Sequence, residues 1–223
     1  SATLSLNGNE RVLVVRLGAM GDILHALPAV ECLKRRYPAM SIDWIVKPRW
    51  TPLLGGNPAL RRVIPFDREQ GSVWAMASRL RDAGYHLAID LQGLIQSALV
   101  AKFSGARTAI GYARAACWEP LAALFYGHRI QPDAPHIAGM HLDLMRALGV
   151  VDSSLACTLP TGEPEGTLPE GPFVLASPFA GWQNKQWPLA HFQRLAALLA
   201  AKEGIPLVMN VAEADLPRLG NMA

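Results

Sequence analysis

The run RVLVVRLGAMGDILHALPAVECLKRRY, Arg11 to Tyr37, decides the architecture. Its first part, RVLVVRL (Arg11 to Leu17), is a valine-rich apolar run of the kind buried on both faces of a parallel sheet. The turn Gly18-Ala19-Met20-Gly21 follows. From Asp22 to Tyr37, Ile23, Leu27, Val30 and Leu33 recur at steps of four and three, which is one face of a helix. Lys34-Arg35-Arg36 complement the negative end of that helix's dipole, and Pro38 closes it. Pro28 lies inside the helix, where it removes a backbone hydrogen bond, so a kink or restart is expected there. Strand, glycine turn and helix in this order open a doubly wound α/β fold with a parallel sheet.

The same alternation extends outward. Strands are predicted at Ser41–Val46 (SIDWIV), Arg62–Phe66 (RVIPF), His86–Leu91 (HLAIDL) and Ala106–Tyr112 (ARTAIGY). Helices are predicted at Ser72–Ala83, Leu94–Phe103, Trp118–Tyr126 and Ile137–Leu148, with Gly84, Gly105 and Gly149 as stops. Residues 1–152 thus read as one Rossmann-like domain. Residues 153–172, SSLACTLPTGEPEGTLPEGP, are rich in Pro, Gly, Glu and Thr without periodicity and read as an interdomain linker. At 173–223 the pattern restarts: a strand Phe173–Ser177, a loop PFAGWQNKQW, a helix opened by Pro188 and closed by Gly204, and a strand PLVMNV. This is the beginning of a second such domain.

Composition narrows the class. The 223 residues are 51% hydrophobic and 17% charged, which excludes disorder, collagen and coiled coil. Cys32, Cys117 and Cys157 are odd in number and far apart, with no zinc-ligand spacing, and are expected to be reduced packing residues of a cytosolic protein. The polar stretch SATLSLNGNE predicts no secretory signal, and no run of about 18 apolar residues predicts a membrane span. A net charge of +3 fits an anionic substrate or a membrane surface. The clusters Lys34-Arg35-Arg36, Arg61-Arg62 and Arg79/Arg81 read first as solvated faces.

The turn after the first strand carries the chemistry. Its glycines permit close approach of a ligand, and the following helix start offers free N–H groups. Asp22 at that start is either a helix cap or a carboxylate held at the carboxyl edge of the sheet, where it can act as a general base. A dinucleotide-binding oxidoreductase is the competing reading. It wants GxGxxG and an acid at the end of the second strand, whereas the turn is GxxG and Asp43 lies near that strand's beginning. No GK[ST], GxSxG or HExxH motif occurs.

The segment VLVVRLGAMGDILHALPAV resembles the N-terminal signature of the glycosyltransferase family 9 heptosyltransferases of lipopolysaccharide synthesis, closest to the heptosyltransferase I type. The likeness continues in order through IDWIV, RRVIPFD, Leu87-Ala-Ile-Asp-Leu-Gln-Gly-Leu, Trp118-Glu-Pro-Leu and Gly181-Trp-Gln-Asn-Lys-Gln-Trp-Pro. It implies a GT-B fold of two Rossmann-like domains, the second only partly present here. It also implies inverting transfer of heptose from ADP-heptose to the Kdo sugar of a lipid A acceptor. The work would be done at the cytoplasmic face of the inner membrane, with peripheral contact to it and with neither metal, cofactor nor nucleic acid.

Under this resemblance Asp22 is the general base. Gly18, Ala19, Met20, Gly21, Arg16 and Arg114 lie on the acceptor side, and Ala180, Gly181 and Lys185 approach the donor phosphates. Trp182 and Trp187 stack or pack, with packing favoured for Trp187. Asp90, Gln92 and Gly93 end the fourth strand at the same edge, Asp90 reading equally as a turn cap. His136 and His141 fall in a His-containing family stretch and read equally as helix-surface residues.

Three departures bear on this. Trp118 stands where the family has an arginine used on the acceptor, and Ala19 where relatives often carry serine. The family's late Asp-Thr-Gly…His segment is absent from these residues, so a complete donor site is not expected from them. The alternative to catalysis is an acceptor- or nucleotide-binding module.

Overall fold

The computed structural model describes residues 4–67, 71–162, 166, 168–181 and 183–220. These divide into two compact units, 1–161 and 162–223, so the division falls inside the 153–172 stretch. The first part of that stretch stays with the first unit. Thr158 N–H donates to Glu31 Oε1 at 2.8 Å, and the Cys32 thiol to Ser154 O at 3.4 Å.

The first unit contains strands β1 (Arg11–Val15), β2 (Ser41–Val46), β3 (Arg62–Pro65), β4 (Leu87–Asp90), β5 (Thr108–Tyr112) and β6 (His128–Ile130). Its helices are α1 (Met20–Arg36), α2 (Thr51–Leu54), α3 (Val73–Arg81), α4 (Ile95–Phe103) and α5 (Ile137–Arg146). The sheet order is β3-β2-β1-β4-β5-β6 with every neighbour parallel. Strand order therefore reverses between β1 and β4, and ligands of such sheets bind in the crevice at that reversal.

Val12, Leu13, Val14 and Val15 are wholly buried, as a central strand covered on both faces requires. Helix α1 packs on α5 and buries Ile23, Leu27, Val30 and Leu33, the predicted face. Each such aliphatic side chain contributes roughly 1.5–3 kcal/mol on burial. The expected restart at Pro28 does not occur. The helix runs unbroken through Pro28, which is itself buried, as are Leu27 and Ala29 on either side of it, so packing outweighs the lost hydrogen bond.

Other boundaries shift. The helix expected at Trp118–Tyr126 is a 3-10 helix, Pro120–Phe125, and β6, too short to announce itself by alternation, adds a sixth strand. Two of the three basic clusters are engaged rather than merely solvated, while Arg79 and Arg81 are exposed on α3. Arg61 and Arg62 both pair with Asp43, a wholly buried carboxylate that also accepts the Tyr85 hydroxyl at 2.6 Å. Burial beside Asp43 pushes the Tyr85 phenol up to about 12. Lys34 Nζ donates to Pro38 O and Met40 O, and Arg35 pairs with Asp152 at 2.9 Å.

The second unit holds β7 (Val174–Ala176) and β8 (Leu207–Met209), paired in parallel, with α6 (Leu189–Glu203) between them. Gly204 closes α6 in the left-handed conformation at φ 65°, while Pro188 occupies the cap position just before the helix rather than its first turn. No helix of the described residues is long and apolar enough to cross a membrane.

Candidate active site

The site is assembled where the carboxyl ends of β1 and β4 meet. Arg16, the first residue after β1, is only 2% exposed. Its Nη1 donates to Leu91 O at 2.7 Å and its Nη2 lies 3.0 Å from Asp22 Oδ2. Leu17 N–H donates to Gln92 Oε1 at 2.8 Å, a second link between the two strand ends. Trp44 Nε1–H caps the Arg16 carbonyl at 3.1 Å. A guanidinium buried among these partners has no freedom to swing.

Helix α1 begins at Met20, with Ala19 as its cap residue, so Asp22 is the third helical residue and not the cap itself. Its Oδ2 reaches back to accept Ala19 N–H at 2.9 Å, satisfying one of the helix's orphan donors. Both contacts of Asp22 fall on Oδ2. Oδ1 has no partner among the described residues, and the side chain is 44% exposed. The geometry is that of a carboxylate clamped by one oxygen and open at the other. Gly18, with φ +147°, keeps the turn close to Trp50; a Cβ there would lie 2.9 Å from the Trp50 indole nitrogen. Ala19, Met20 and Gly21 are exposed around Asp22.

The turn after β4 is built on Asp90, which is wholly buried. Its Oδ1 accepts from Gln92 N at 2.7 Å and Gly93 N at 3.3 Å; its Oδ2 accepts the hydroxyls of Ser97 and Tyr126, each at 2.7 Å. Burial raises its carboxyl above the ordinary value against those four hydrogen bonds. Asp90 is thus the turn cap of the alternative reading, and it holds Gln92 toward β1.

His141, read from the sequence as a possible helix-surface residue, is instead wholly buried. Its Nδ1 is hydrogen-bonded to the Tyr112 hydroxyl, and burial, with Arg16 and His25 nearby, drives its pKa down to about 3. His136 is exposed, caps α5 by accepting Ala138 N–H on Nδ1, and meets the His25 ring edge-on at 5.2 Å. Arg16 Nε, His25 Nδ1 and His141 Nε2 are buried without a partner among the described residues, and Arg16 and His25 both lie close enough to His141 to bear on its charge. Spacing gave no sign of this grouping.

Two cavities of about 420 Å³ each lie on the carboxyl edge, on either side of β1. One, among the ends of β4 and β5 and the start of α5, is walled by Gln92, Tyr112, Cys117, Trp118, Ile137 and Met140. The other, beyond β2 and β3, includes Pro48, Phe66, Ser72, Met76 and Arg79. Arg114 is exposed on the 3-10 turn Arg114–Ala116 that runs along the first cavity.

In the second unit, Ala180, Gly181 and Lys185 lie on the exposed loop between β7 and α6, Lys185 ending the 3-10 turn Gln183–Lys185. Gln186 Nε2 donates to Ala180 O at 2.7 Å and folds this loop, and Arg218, stacked 3.9 Å over Phe179, reaches Gln186 Oε1. Neither Gln186 nor Arg218 was legible in the sequence. Trp187 packs edge-on against His191 and Phe192. Trp182 lies outside the described residues. Among the described residues no group of three or more His, Cys, Asp and Glu is arranged to hold a metal ion.

A doubly wound sheet with a clamped carboxylate at its strand reversal defines an open α/β protein whose ligand crevice lies at that edge. Residues 73–221 match the model of glycosyltransferase family 9 (heptosyltransferase), and the chain belongs to that family. It is 28% identical to lipopolysaccharide heptosyltransferase 1 of Pseudomonas aeruginosa, over 96% of this chain and 64% of that protein. It is also 28% identical to the protein of the same name from Escherichia coli K12, over 85% of this chain and 65% of that one. The chain therefore spans just under two thirds of the length of these relatives. Among solved structures it is similar to E. coli heptosyltransferase WaaC with ADP-2-deoxy-2-fluoro heptose, with a TM-score of 0.73, 25% identity, and coverage of 95% of this chain and 73% of that one. The fold class read from the sequence is that of these heptosyltransferases.

Proposed function

We propose that the protein is an inverting heptosyltransferase of lipopolysaccharide core synthesis, moving L-glycero-D-manno-heptose from ADP-heptose to the Kdo of a lipid A acceptor. Residues 1–152 take the acceptor and residues 173–223 contribute to the donor site, joined by 153–172. The observation that carries this reading is the one-sided clamping of Asp22. With Oδ2 fixed by Arg16 and Ala19 N–H, Oδ1 is presented to solvent at the edge where a bound hydroxyl would sit. A base positioned in this way contributes roughly 10²–10⁴-fold to a transfer.

In the reaction, Asp22 Oδ1 takes the proton of the attacking Kdo hydroxyl while that oxygen bonds to the anomeric carbon from the face opposite ADP. The carbon–oxygen bond to the diphosphate breaks, and ADP leaves with the electron pair, which inverts the anomeric centre. Lys185 and the loop backbone at Ala180-Gly181 meet the growing charge on the diphosphate. Arg16, with two of its nitrogens occupied, orients Asp22 rather than grasping the acceptor. Gly18 to Gly21 line the approach, and Arg114 faces the acceptor's anionic groups. A lipid acceptor and a nucleotide-sugar donor together support assigning the work to the cytoplasmic face of the inner membrane.

The test is to incubate the full-length protein with ADP-heptose and Kdo-lipid A while following ADP release and product mass. A heptosylated product with the inverted anomeric configuration is expected. ADP-heptose binding without any product in the presence of acceptor would replace this reading with that of a binding module.

A further inference from the structure

Trp118 is 76% exposed, yet the chain on both sides of it is fixed. Cys117 N–H donates to Ala113 O at 3.2 Å and the Cys117 thiol to Tyr112 O at 3.4 Å. On the other side, Glu119 N–H donates to Gly93 O at 3.1 Å, and Glu119 Oε2 accepts Ile95 N–H at 2.5 Å. Gly93, at φ +73°, makes room for this segment, since a Cβ there would lie 3.3 Å from Cys117 Cα and 3.5 Å from Trp118 N. An indole left in solvent on a backbone held in this way is a preorganised surface, already ordered before a ligand arrives.

The cavity of about 420 Å³ that Trp118 lines is uncharged: none of its nine lining residues is acidic or basic. Of the polar side chains on its wall, Tyr112 is bonded to His141 and the Cys117 thiol to Tyr112 O. Gln92 differs. Its Oε1 accepts Leu17 N–H, while its Nε2 has no partner among the described residues. Leu17 precedes Gly18 of the turn that carries Asp22, so Gln92 joins this cavity to the site.

An aromatic face, a free amide donor and no charge suit the recognition of a pyranose ring. The axial C–H bonds on one side of such a ring form an apolar patch that packs on an aromatic face, and its hydroxyls accept hydrogen bonds from a side-chain amide. A phosphate in the same place would lose water with no cation to meet it. We propose that Trp118 is the stacking platform for the acceptor's sugar ring and Gln92 Nε2 a donor to its hydroxyls, so that this cavity selects the ring itself and not a phosphate borne on it. This rests on the reading of residues 1–152 as the acceptor side. The indole that stands in place of an arginine exchanges a charge contact for a stacked one.

The experiment uses the full-length protein and the methyl glycoside of Kdo as a soluble acceptor. Titrating the glycoside should change tryptophan emission in the parent protein, and the change should disappear in Trp118→Phe, which keeps a ring but not the indole. In transfer assays Trp118→Ala should raise the acceptor KM about fivefold or more, with kcat and the KM for ADP-heptose little changed, because a stacked contact is made alike in ground and transition states. Trp118→Phe should recover most of that affinity. Trp118→Leu should not, since leucine restores bulk without a flat face. Inorganic phosphate should not displace the glycoside.

An acceptor KM in Trp118→Ala within about twofold of the parent's overturns the platform. So does recovery by Trp118→Leu as full as by Trp118→Phe, displacement of the glycoside by phosphate, or a parent protein whose emission does not respond to the glycoside. A glycoside that binds through Trp118 but is not heptosylated overturns the proposed reaction and leaves the platform standing. Heptosyl transfer with none of these Trp118 effects does the reverse.

Discussion

Arg16 Nη2 stands 3.0 Å from Asp22 Oδ2, across the turn that joins the central strand to the first helix. The two residues differ in environment: Arg16 is 2% exposed, and the Asp22 side chain is 44% exposed. The pair therefore joins the core to the site, with the buried cation anchored on Leu91 O and the carboxylate at the surface.

Replacing Asp22 by Asn should keep the helix and both substrate affinities while removing the base. The expected result is a fall in kcat of about 10²–10⁴-fold with little change in KM. Steady-state kinetics on the full-length protein checks this, and near-normal turnover would remove Asp22 from the mechanism.

Replacing Arg16 by Ala acts from beneath. It removes the bond to Leu91 O, opens a space in the core and frees Asp22 to rotate. A loss of about 2–4 kcal/mol in unfolding free energy is expected, from the cavity and the unsatisfied carbonyl together. Chemical denaturation measures it. A variant as stable as the parent would mean that the turn is held by other contacts.

His141 supplies a pH dependence whose sign can be stated. The folded protein keeps it neutral down to about 3, whereas the unfolded chain takes up a proton near its ordinary value of 6.5. Between those values the unfolded state binds more protons, so stability rises with pH and is lost on acidification, by at most about 1.4 kcal/mol per unit. Asp90, raised by burial, acts in the opposite sense, so the useful measurement is a comparison with His141→Gln. The gap between urea midpoints at about pH 7 and about pH 5 should shrink in that variant. An undiminished gap would show that other groups govern the acid limb.

Gly111, in β5, lies under the Tyr126 ring; a Cβ there would fall within it. Gly111→Ala should displace Tyr126 from Asp90 and loosen the β4–α4 turn, at a cost of about 1–3 kcal/mol. Thermal melting with Tyr126→Phe as a comparison tests the route. If Gly111→Ala and Tyr126→Phe act independently in the double variant, the coupling is absent.

Lys185→Ala should weaken ADP binding by about tenfold, the scale of one charge-assisted contact, and leave acceptor binding untouched. Titration calorimetry with ADP reads this directly. An unchanged affinity would return Lys185 to the status of a solvated loop residue.

Much of the fold was legible because its signals are local. The valine run of β1, the steps of Ile23, Leu27, Val30 and Leu33, and the glycine stops each need only a few neighbouring residues to be read. The misreadings share a cause as well. Pro28 announces a kink or a restart, and the restart does not occur, because the residue is buried and packed. The 118–126 stretch has helical content, but it winds as a 3-10 helix over Pro120–Phe125, with Pro120 at its first position.

The sequence by itself determined the order strand, turn, carboxylate, helix, and through its ordered segments the family. It could place Asp22 at a sheet edge. What only the tertiary structure decided is what surrounds it: Arg16 turned inward onto Leu91, 75 residues away, His141 buried against Tyr112, and Gln92 bonded across to Leu17. These depend on which strand ends become neighbours when the sheet order reverses. That adjacency is a property of packing between distant segments, and no local periodicity encodes it.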